Sequence, residues 1–144
     1  MSYFEDLTPY SYYHLGISDN TLNIGWLGRE QPYNRGEVQE DILASLWEFL
    51  HYRMLRLRGF HVCEFCTSSH NGPLPIERNY EILHLGTSEI RVIGNNKKIY
   101  AAPDLIYHYI AEHSYRPPEE FLEAVEKGPR PSSEEYKKEF NALL

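Results

Sequence analysis

The sequence places both of its cysteines in one short stretch, HVCEFC (residues 61–66). Two thiolates that are separated by two residues can bind one metal ion from a tight turn. A pair of histidines, His108 and His113, follows in the stretch IYHYIAEH (residues 106–113). Together the two stretches give C-x2-C followed by H-x4-H, which supplies four zinc ligands. We therefore predict one zinc ion, bound by Cys63, Cys66, His108 and His113, with a zinc-knuckle-like turn at the cysteines.

The choice of histidines depends on how their helix ends. His108 and His113 lie about 140° apart around an ideal helix of 3.6 residues per turn. They converge on one ion only if the last helical turn distorts, and the helix is expected to end there. His61 is the main competitor and can replace either histidine as a ligand. His84, on a predicted strand, and His70, in a loop of small polar residues, are weaker candidates.

Three readings without a metal stay open. The cysteines can form a redox disulfide, but redox-active thiols need a lowered pKa, and the charge of Glu64 between them acts in the opposite direction. Both cysteines can instead be inert core residues. His108 can be an ordinary buried helix histidine with its hydrogen bonds made.

The composition predicts a single domain over residues 1–144 that does not bind nucleic acid. Of its residues, 42% are hydrophobic and 24% are charged, and the net charge is −7. Nucleic-acid binders cluster Lys and Arg, whereas the one basic cluster here is Arg53, Arg56 and Arg58, which we interpret as a solvated face. The acidic surface favours a basic protein partner. We find no transmembrane span and no signal peptide, so we expect a cytoplasmic protein without membrane contact.

The hydrophobic patterns predict an α+β fold with a small antiparallel sheet and about four helices. Predicted helices cover residues 37–52, 103–113 and 118–127, and a last one runs from a cap at Ser132 or Ser133 to Leu144. A short helix could also begin at Thr8-Pro9. Residues 22–26 read as a strand, residues 67–79 as a loop, and residues 80–85, 88–93 and 97–101 as a meander with a turn at Asn95-Asn96.

Several blocks of the chain resemble a bacterial family of small proteins of unknown function. The blocks are FEDLTPY, LNIGWL, GFHVCEFC, EIRV, YAAP and LIYHY followed by YRPP, and they span about residues 3–126. The family has no assigned activity, so the resemblance implies a bacterial cytoplasmic domain and no catalytic residues. Residues 128–144 fall outside the blocks and are expected to be a C-terminal helical extension. The blocks also contain Asp6, Glu89 and Arg91, which can form an ion-pair network, and Glu64, which can hydrogen-bond a ligand histidine.

Two functions remain for such a chain. The sequence has no P-loop, no G-x-G-x-x-G, no G-x-S-x-G, no H-E-x-x-H and no zinc-deaminase motif. A zinc-stabilised protein-interaction or regulatory module is therefore the first hypothesis. The alternative is a small zinc-dependent hydrolase with three protein ligands and an open position for water. In that case His113 or Glu64 would move protons, beside a cleft rimmed by Tyr107 and Tyr109.

Overall fold

The computed structural model describes residues 3–10, 20–54, 60–66 and 72–143. Within these ranges the chain forms five strands and four helices, which confirms the predicted α+β class. The strands are β1 (Thr21–Asn23), β2 (Leu74–Arg78), β3 (Glu81–Leu85), β4 (Glu89–Ile93) and β5 (Ile99–Pro103). The helices are α1 (Glu40–Leu50), α2 (Ile106–His113), α3 (Glu119–Lys127) and α4 (Glu134–Leu143).

The strands form two separate sheets. Strands β4 and β5 make an antiparallel hairpin in which Ile93 lies opposite Ile99. Strand β1 extends this sheet in the order β1-β5-β4 and runs parallel to β5. Strands β2 and β3 form a second, antiparallel hairpin. Antiparallel pairing is therefore found as predicted, and the short parallel β1–β5 pair adds an edge to the main sheet. Parallel strands must be joined by a long crossover connection, so their pairing cannot be predicted from a local sequence pattern.

The predicted loop over residues 67–79 is wrong for residues 74–78, and residues 67–71 lie outside the described part of the chain. Residues 74–78 form β2, although Pro75 lies inside the strand. Proline is tolerated in an edge strand, and among the described strands β2 pairs only with β3. The hairpin closes through Asn79 and Tyr80, which both have positive φ, as a two-residue type I′ turn requires. The predicted meander is therefore divided, since β3 pairs with β2, while β4 pairs with β5 across the predicted Asn95-Asn96 turn.

Helix α1 is shorter than the predicted 37–52 because its N-terminal flank is tied to another part of the chain. The N–H of Gly36 donates to the carbonyl of Ser114, and Arg35 forms a bridge with Tyr115. The chain then stays extended as far as Gln39. Ile42 and Leu46 are buried on the inner face of α1.

Helix α2 begins after Pro103 rather than at it. Pro103 ends β5, and the buried carboxylate of Asp104 accepts a hydrogen bond from the N–H of Gly86 at 2.7 Å. Residues 105–110 are all buried. The helix therefore lies in the core, and His108 is carried there with it.

The predicted helix at Thr8-Pro9 is wrong. Pro9 forms an antiparallel bridge with Leu22, and the N–H of Asn23 donates to the carbonyl of Thr8. This segment therefore lies alongside β1 in extended form. Its backbone groups find partners outside the segment, so no local helix forms.

The C-terminal helix α4 is capped at its start and attached to the core through Tyr136. Ser133 Oγ accepts a hydrogen bond from the N–H of Tyr136, which confirms one of the two predicted caps. The Tyr136 hydroxyl donates to the carbonyl of Arg91 in β4 at 2.8 Å, and its ring stacks on Phe140. Among the described helices, none combines the length and the apolar character needed to cross a bilayer.

Candidate metal centre

The four predicted ligands lie together in the structure. Their ligand atoms, the Sγ atoms of Cys63 and Cys66 and the Nε2 atoms of His108 and His113, are all within 4.8 Å of one another. Cys63 and His108 are buried, and Cys66 and His113 are half-buried. No other group of this kind is found in the described ranges.

The distances between these atoms resemble the edges of a tetrahedron around one ion. With Zn–S bonds of about 2.3 Å and Zn–N bonds of about 2.05 Å, a regular tetrahedron has N–N edges of about 3.3 Å and S–N edges of about 3.6 Å. The two Nε2 atoms are 3.2 Å apart. Cys66 Sγ lies 3.2 Å from His108 Nε2 and 3.7 Å from His113 Nε2, and Cys63 Sγ lies 3.3 Å from His113 Nε2. The arrangement is compatible with one four-coordinate metal ion.

The cysteine turn is fixed to the fold by a backbone contact that admits only glycine. The N–H of His61 donates to the carbonyl of Gly86 at 2.7 Å. Gly86 has φ +116°, and a Cβ atom there would lie 2.5 Å from the carbonyl oxygen of His61. An L side chain would therefore be strained at this φ and would displace the backbone of His61, just before the cysteines.

The end of α2 shows the distortion that the spacing of the histidines requires. Ser114 adopts the left-handed conformation with φ 57°. The N–H groups of Ser114 and Tyr115 both donate to the carbonyl of Tyr109, five and six residues earlier, instead of continuing the α-helical pattern. The final turn is thereby widened at His113. This brings its ring to a centroid distance of 4.9 Å from that of His108, although the two residues are five apart.

The electrostatics of the metal-free centre favour neutral ligands. Burial raises the pKa of the Cys63 thiol to about 11, although the backbone N–H of Phe65 acts in the opposite direction. Burial also lowers the pKa of His113, although the charge of Glu112 acts in the opposite direction. Neither cysteine forms a disulfide in the structure. A redox role needs a thiol of lowered pKa, so the raised value for Cys63 argues against the redox reading.

The other histidines in the described ranges contribute no atom to the cluster. His61, the main competitor, contributes no atom to it. His84 is an exposed residue of β3, and its carbonyl accepts a hydrogen bond from Arg53. His70 lies outside the described residues, as do Arg56 and Arg58 of the basic cluster.

Glu64 does not bind a ligand histidine as we had expected. Its Oε1 atom accepts a hydrogen bond from the N–H of Arg29 at 3.1 Å, and its carbonyl accepts one from Arg29 Nε. The turn between the cysteines points this carboxylate away from the ligand atoms and towards residues 28–33. Glu64 therefore ties two loops together.

The predicted network of Asp6, Glu89 and Arg91 is divided in the structure. Arg91 donates to Glu89 Oε1 at 2.8 Å, and Tyr10 donates to the same oxygen at 2.9 Å. Glu89 and Arg91 are 1% and 7% exposed, which makes this a buried ion pair. Asp6 lies elsewhere and accepts hydrogen bonds from the N–H of Gly25 and the hydroxyl of Tyr115. Both groups hold segments of the fold together.

Sequence reasoning missed two aromatic residues beside the cluster. The Tyr33 hydroxyl donates to the carbonyl of His113 at 2.9 Å. The ring of Phe65 lies 5.6 Å from that of His113, and it meets Tyr33 edge-on at 5.3 Å. Phe65 could have been noticed because it stands between the cysteines. Tyr33 gives no signal, since it is one of twelve tyrosines in the chain.

A sequence model of a domain of unknown function (DUF7919) matches residues 2–126. The chain belongs to this family. The DUF7919 match includes all four residues of the cluster and ends before α4. Its description names no activity, ligand or partner. No curated protein and no solved structure matches the chain.

Proposed function

We propose that Cys63, Cys66, His108 and His113 bind one zinc ion, and that the domain is a zinc-stabilised interaction or regulatory module. The observation that carries the proposal is the convergence of four ligand atoms at tetrahedral distances. A thiol that donates to an imidazole explains one such contact. The convergence of all four atoms on one centre calls for a cation between them.

The ligand set favours zinc over other metals. Two thiolates and two imidazoles in a tetrahedron are typical of zinc, whereas magnesium and calcium prefer oxygen ligands. The neutral form of His113 that its lowered pKa favours is also the form that binds a metal.

A structural role is better supported than a hydrolytic one. Catalytic zinc keeps one position open for water, whereas four protein ligands fill a tetrahedron. The two tyrosines expected at the rim of a catalytic cleft are buried instead. The Tyr107 hydroxyl accepts a hydrogen bond from Arg78, and Tyr109 is completely buried. We therefore do not propose the hydrolase alternative.

The ion would join three parts of the chain that are distant in sequence. It would bind residues 60–66 to the end of α2. The loop at residues 28–36 is attached to both, since Arg29 contacts Glu64 and Tyr33 contacts His113. Zinc would stabilise these contacts together, because each of them depends on the position of the cysteine turn.

An acidic groove supports a basic protein as the partner. A cavity of about 480 Å³ between the segment before α1 and helix α3 is lined by four glutamates, Glu37, Glu119, Glu123 and Glu126. Arg116 and Lys127 also line it, so the groove keeps an excess of negative charge. Val38 and Leu122 add apolar surface to it. With a net charge of −7, this surface favours association with a positively charged segment.

Metal analysis of the protein purified without a histidine tag tests the zinc site. We expect about one zinc ion per chain, and little or none after Cys63→Ser or His113→Gln. His84→Gln is the matched control, because His84 lies outside the cluster and should leave the zinc content unchanged. A wild-type zinc content near zero, or equal loss in the control, would refute the site.

Charge reversal tests the partner surface. If a partner protein binds this domain at low salt, replacing Glu123 and Glu126 by lysine should abolish the binding. Raising the salt concentration should weaken the binding of the unmodified domain. Glu134→Lys is the control, since Glu134 lies on α4 and does not line the groove. Binding that ignores both the reversal and the salt would contradict an electrostatic partner surface.

A further inference from the structure

Two arginines of this acidic chain stand apart from the others. Four described arginines bind carboxylates, in the pairs Arg53–Asp104, Arg78–Glu40, Arg91–Glu89 and Arg116–Glu119. Arg130 donates to backbone carbonyls at the end of α3. Arg29 and Arg35 form no ion pair with a carboxylate in the described part of the chain, although acidic residues outnumber basic ones by 21 to 14. Both line the same cavity.

This cavity combines positive charge with aromatic walls. It has a volume of about 410 Å³, and Tyr33 and Phe65 contribute to its lining beside the two arginines. The guanidinium carbon of Arg35 lies 4.7 Å from the centre of the Tyr33 ring. This cation–π contact uses the π face of the Tyr33 ring and does not occupy the N–H donors of Arg35 with a carboxylate. Glu30 also lines the cavity, which leaves a net positive charge there.

We propose that this cavity binds a small planar ligand that carries a carboxylate or phosphate group. Guanidinium groups bind both anions through paired N–H donors, and a flat ring can pack against the edges of Tyr33 and Phe65. The two arginines supply the charge, and the two rings supply the apolar contact. A ligand with only one of these features should bind more weakly.

The walls of the cavity are attached to the metal cluster. Phe65 stands between the two cysteines, and Tyr33 donates to the carbonyl of His113. Arg29 donates to Glu64, also between the cysteines. Metal binding should therefore order the cavity before the ligand arrives. This coupling rests on the proposed zinc site, whereas the cavity and its arginines do not.

Calorimetric titration of the full chain tests the proposal with phenyl phosphate, benzoate, inorganic phosphate and phenol as probes. We expect phenyl phosphate, benzoate or both to bind. Comparing their affinities shows whether the cavity prefers a phosphate or a carboxylate group. Inorganic phosphate and phenol should bind more weakly by about tenfold or more, as expected when one set of contacts is lost. If neither ring-bearing anion binds up to about 10 mM, the site is refuted. Equal binding of inorganic phosphate and phenyl phosphate would overturn the role of the rings.

Two variants and a control locate the binding. Arg29→Gln and Arg35→Gln should each weaken the probe that binds by about tenfold, the loss expected for a charge-assisted hydrogen bond. Lys137→Gln removes one positive charge from α4, away from the cavity, and should leave binding unchanged. If both arginine variants bind like the wild type, or the control weakens binding equally, the probe does not use this cavity.

Removal of the metal separates this inference from the zinc proposal. A zinc-loaded chain that binds the probe more tightly than the chelated chain supports the coupling. Equal binding in the two forms refutes the coupling alone. If the purified chain contains no zinc and still binds the probe through Arg29 and Arg35, the zinc proposal fails and the anion site stands.

Discussion

Zinc binding should strengthen with rising pH, because the metal must displace a proton from a buried thiol. Burial raises the pKa of Cys63 to about 11, so the metal-free chain holds this proton throughout the range from pH 6 to 8. Removing the proton at pH 7 costs about 5 kcal/mol, at about 1.36 kcal/mol per pKa unit. Structural zinc sites bind with apparent free energies of about 10–16 kcal/mol at this pH, with such proton costs already included, so a buried thiol is compatible with tight binding.

The size of the effect follows from the number of protons released. The proton displaced from Cys63 alone makes the zinc affinity fall about tenfold for each pH unit, and so at least about 100-fold from pH 8 to pH 6. Any proton displaced from the second thiol, Cys66, makes this fall steeper. His113 should release little proton at pH 7, because its pKa is lowered and its ring is already neutral. The contribution of zinc to the free energy of unfolding is therefore present at high pH and is lost as the pH falls.

The assay is competition with a chelator at pH 6, 7 and 8, with the chelator's own protonation taken into account. Calorimetry at pH 7 in two buffers of different ionisation enthalpy counts the protons directly. We expect at least about one proton per zinc ion. A zinc affinity that does not change with pH, or release of clearly less than one proton, would show that Cys63 is already a thiolate in the metal-free chain and would refute the burial argument.

Three further predictions concern stability. Cys63→Ser should lower the melting temperature by about 10 °C, because zinc present at about 100 times its Kd adds about 2.7 kcal/mol to the free energy of unfolding. An unchanged melting temperature in scanning calorimetry would contradict this prediction. Gly86→Ala should lower the free energy of unfolding in urea by about 2 kcal/mol or more and weaken zinc binding, because the new Cβ would lie 2.5 Å from the carbonyl oxygen of His61. An unchanged zinc affinity would argue that this contact does not position the cysteine turn. Glu89→Gln should lower the free energy of unfolding in urea by about 3 kcal/mol, because it leaves the buried charge of Arg91 without its partner. A loss below about 1 kcal/mol would mean that the ion pair is not needed for stability.

The ligand cluster could be predicted from the sequence because its information is local. Two cysteines in one turn and two histidines near the end of one helix restrict the geometry strongly, and the structure brings these four residues together. The distortion at the end of α2 could be predicted for the same reason, since five residues of helix do not bring two side chains to one face. Whether the cluster holds zinc stays a prediction.

Other features could not be predicted because they depend on contacts between distant segments. Strand β2 was missed because Pro75 is typical of a loop. Proline is also tolerated in an edge strand, but the sequence does not show that β2 is one. The start of α1 depends on the hydrogen bond from Gly36 to Ser114. Tyr10 reaches Glu89 from the other end of the chain, and no spacing in the sequence indicates that contact.

The burial of Tyr136 has a consequence for the limits of this domain. The family match stops at residue 126, yet the Tyr136 side chain is buried and bonded to the backbone of β4. A chain cut at the edge of the match would expose the part of the β4 surface that this ring covers, next to the buried Arg91. We therefore expect the unit that unfolds cooperatively to extend past the edge of the family match and to include α4.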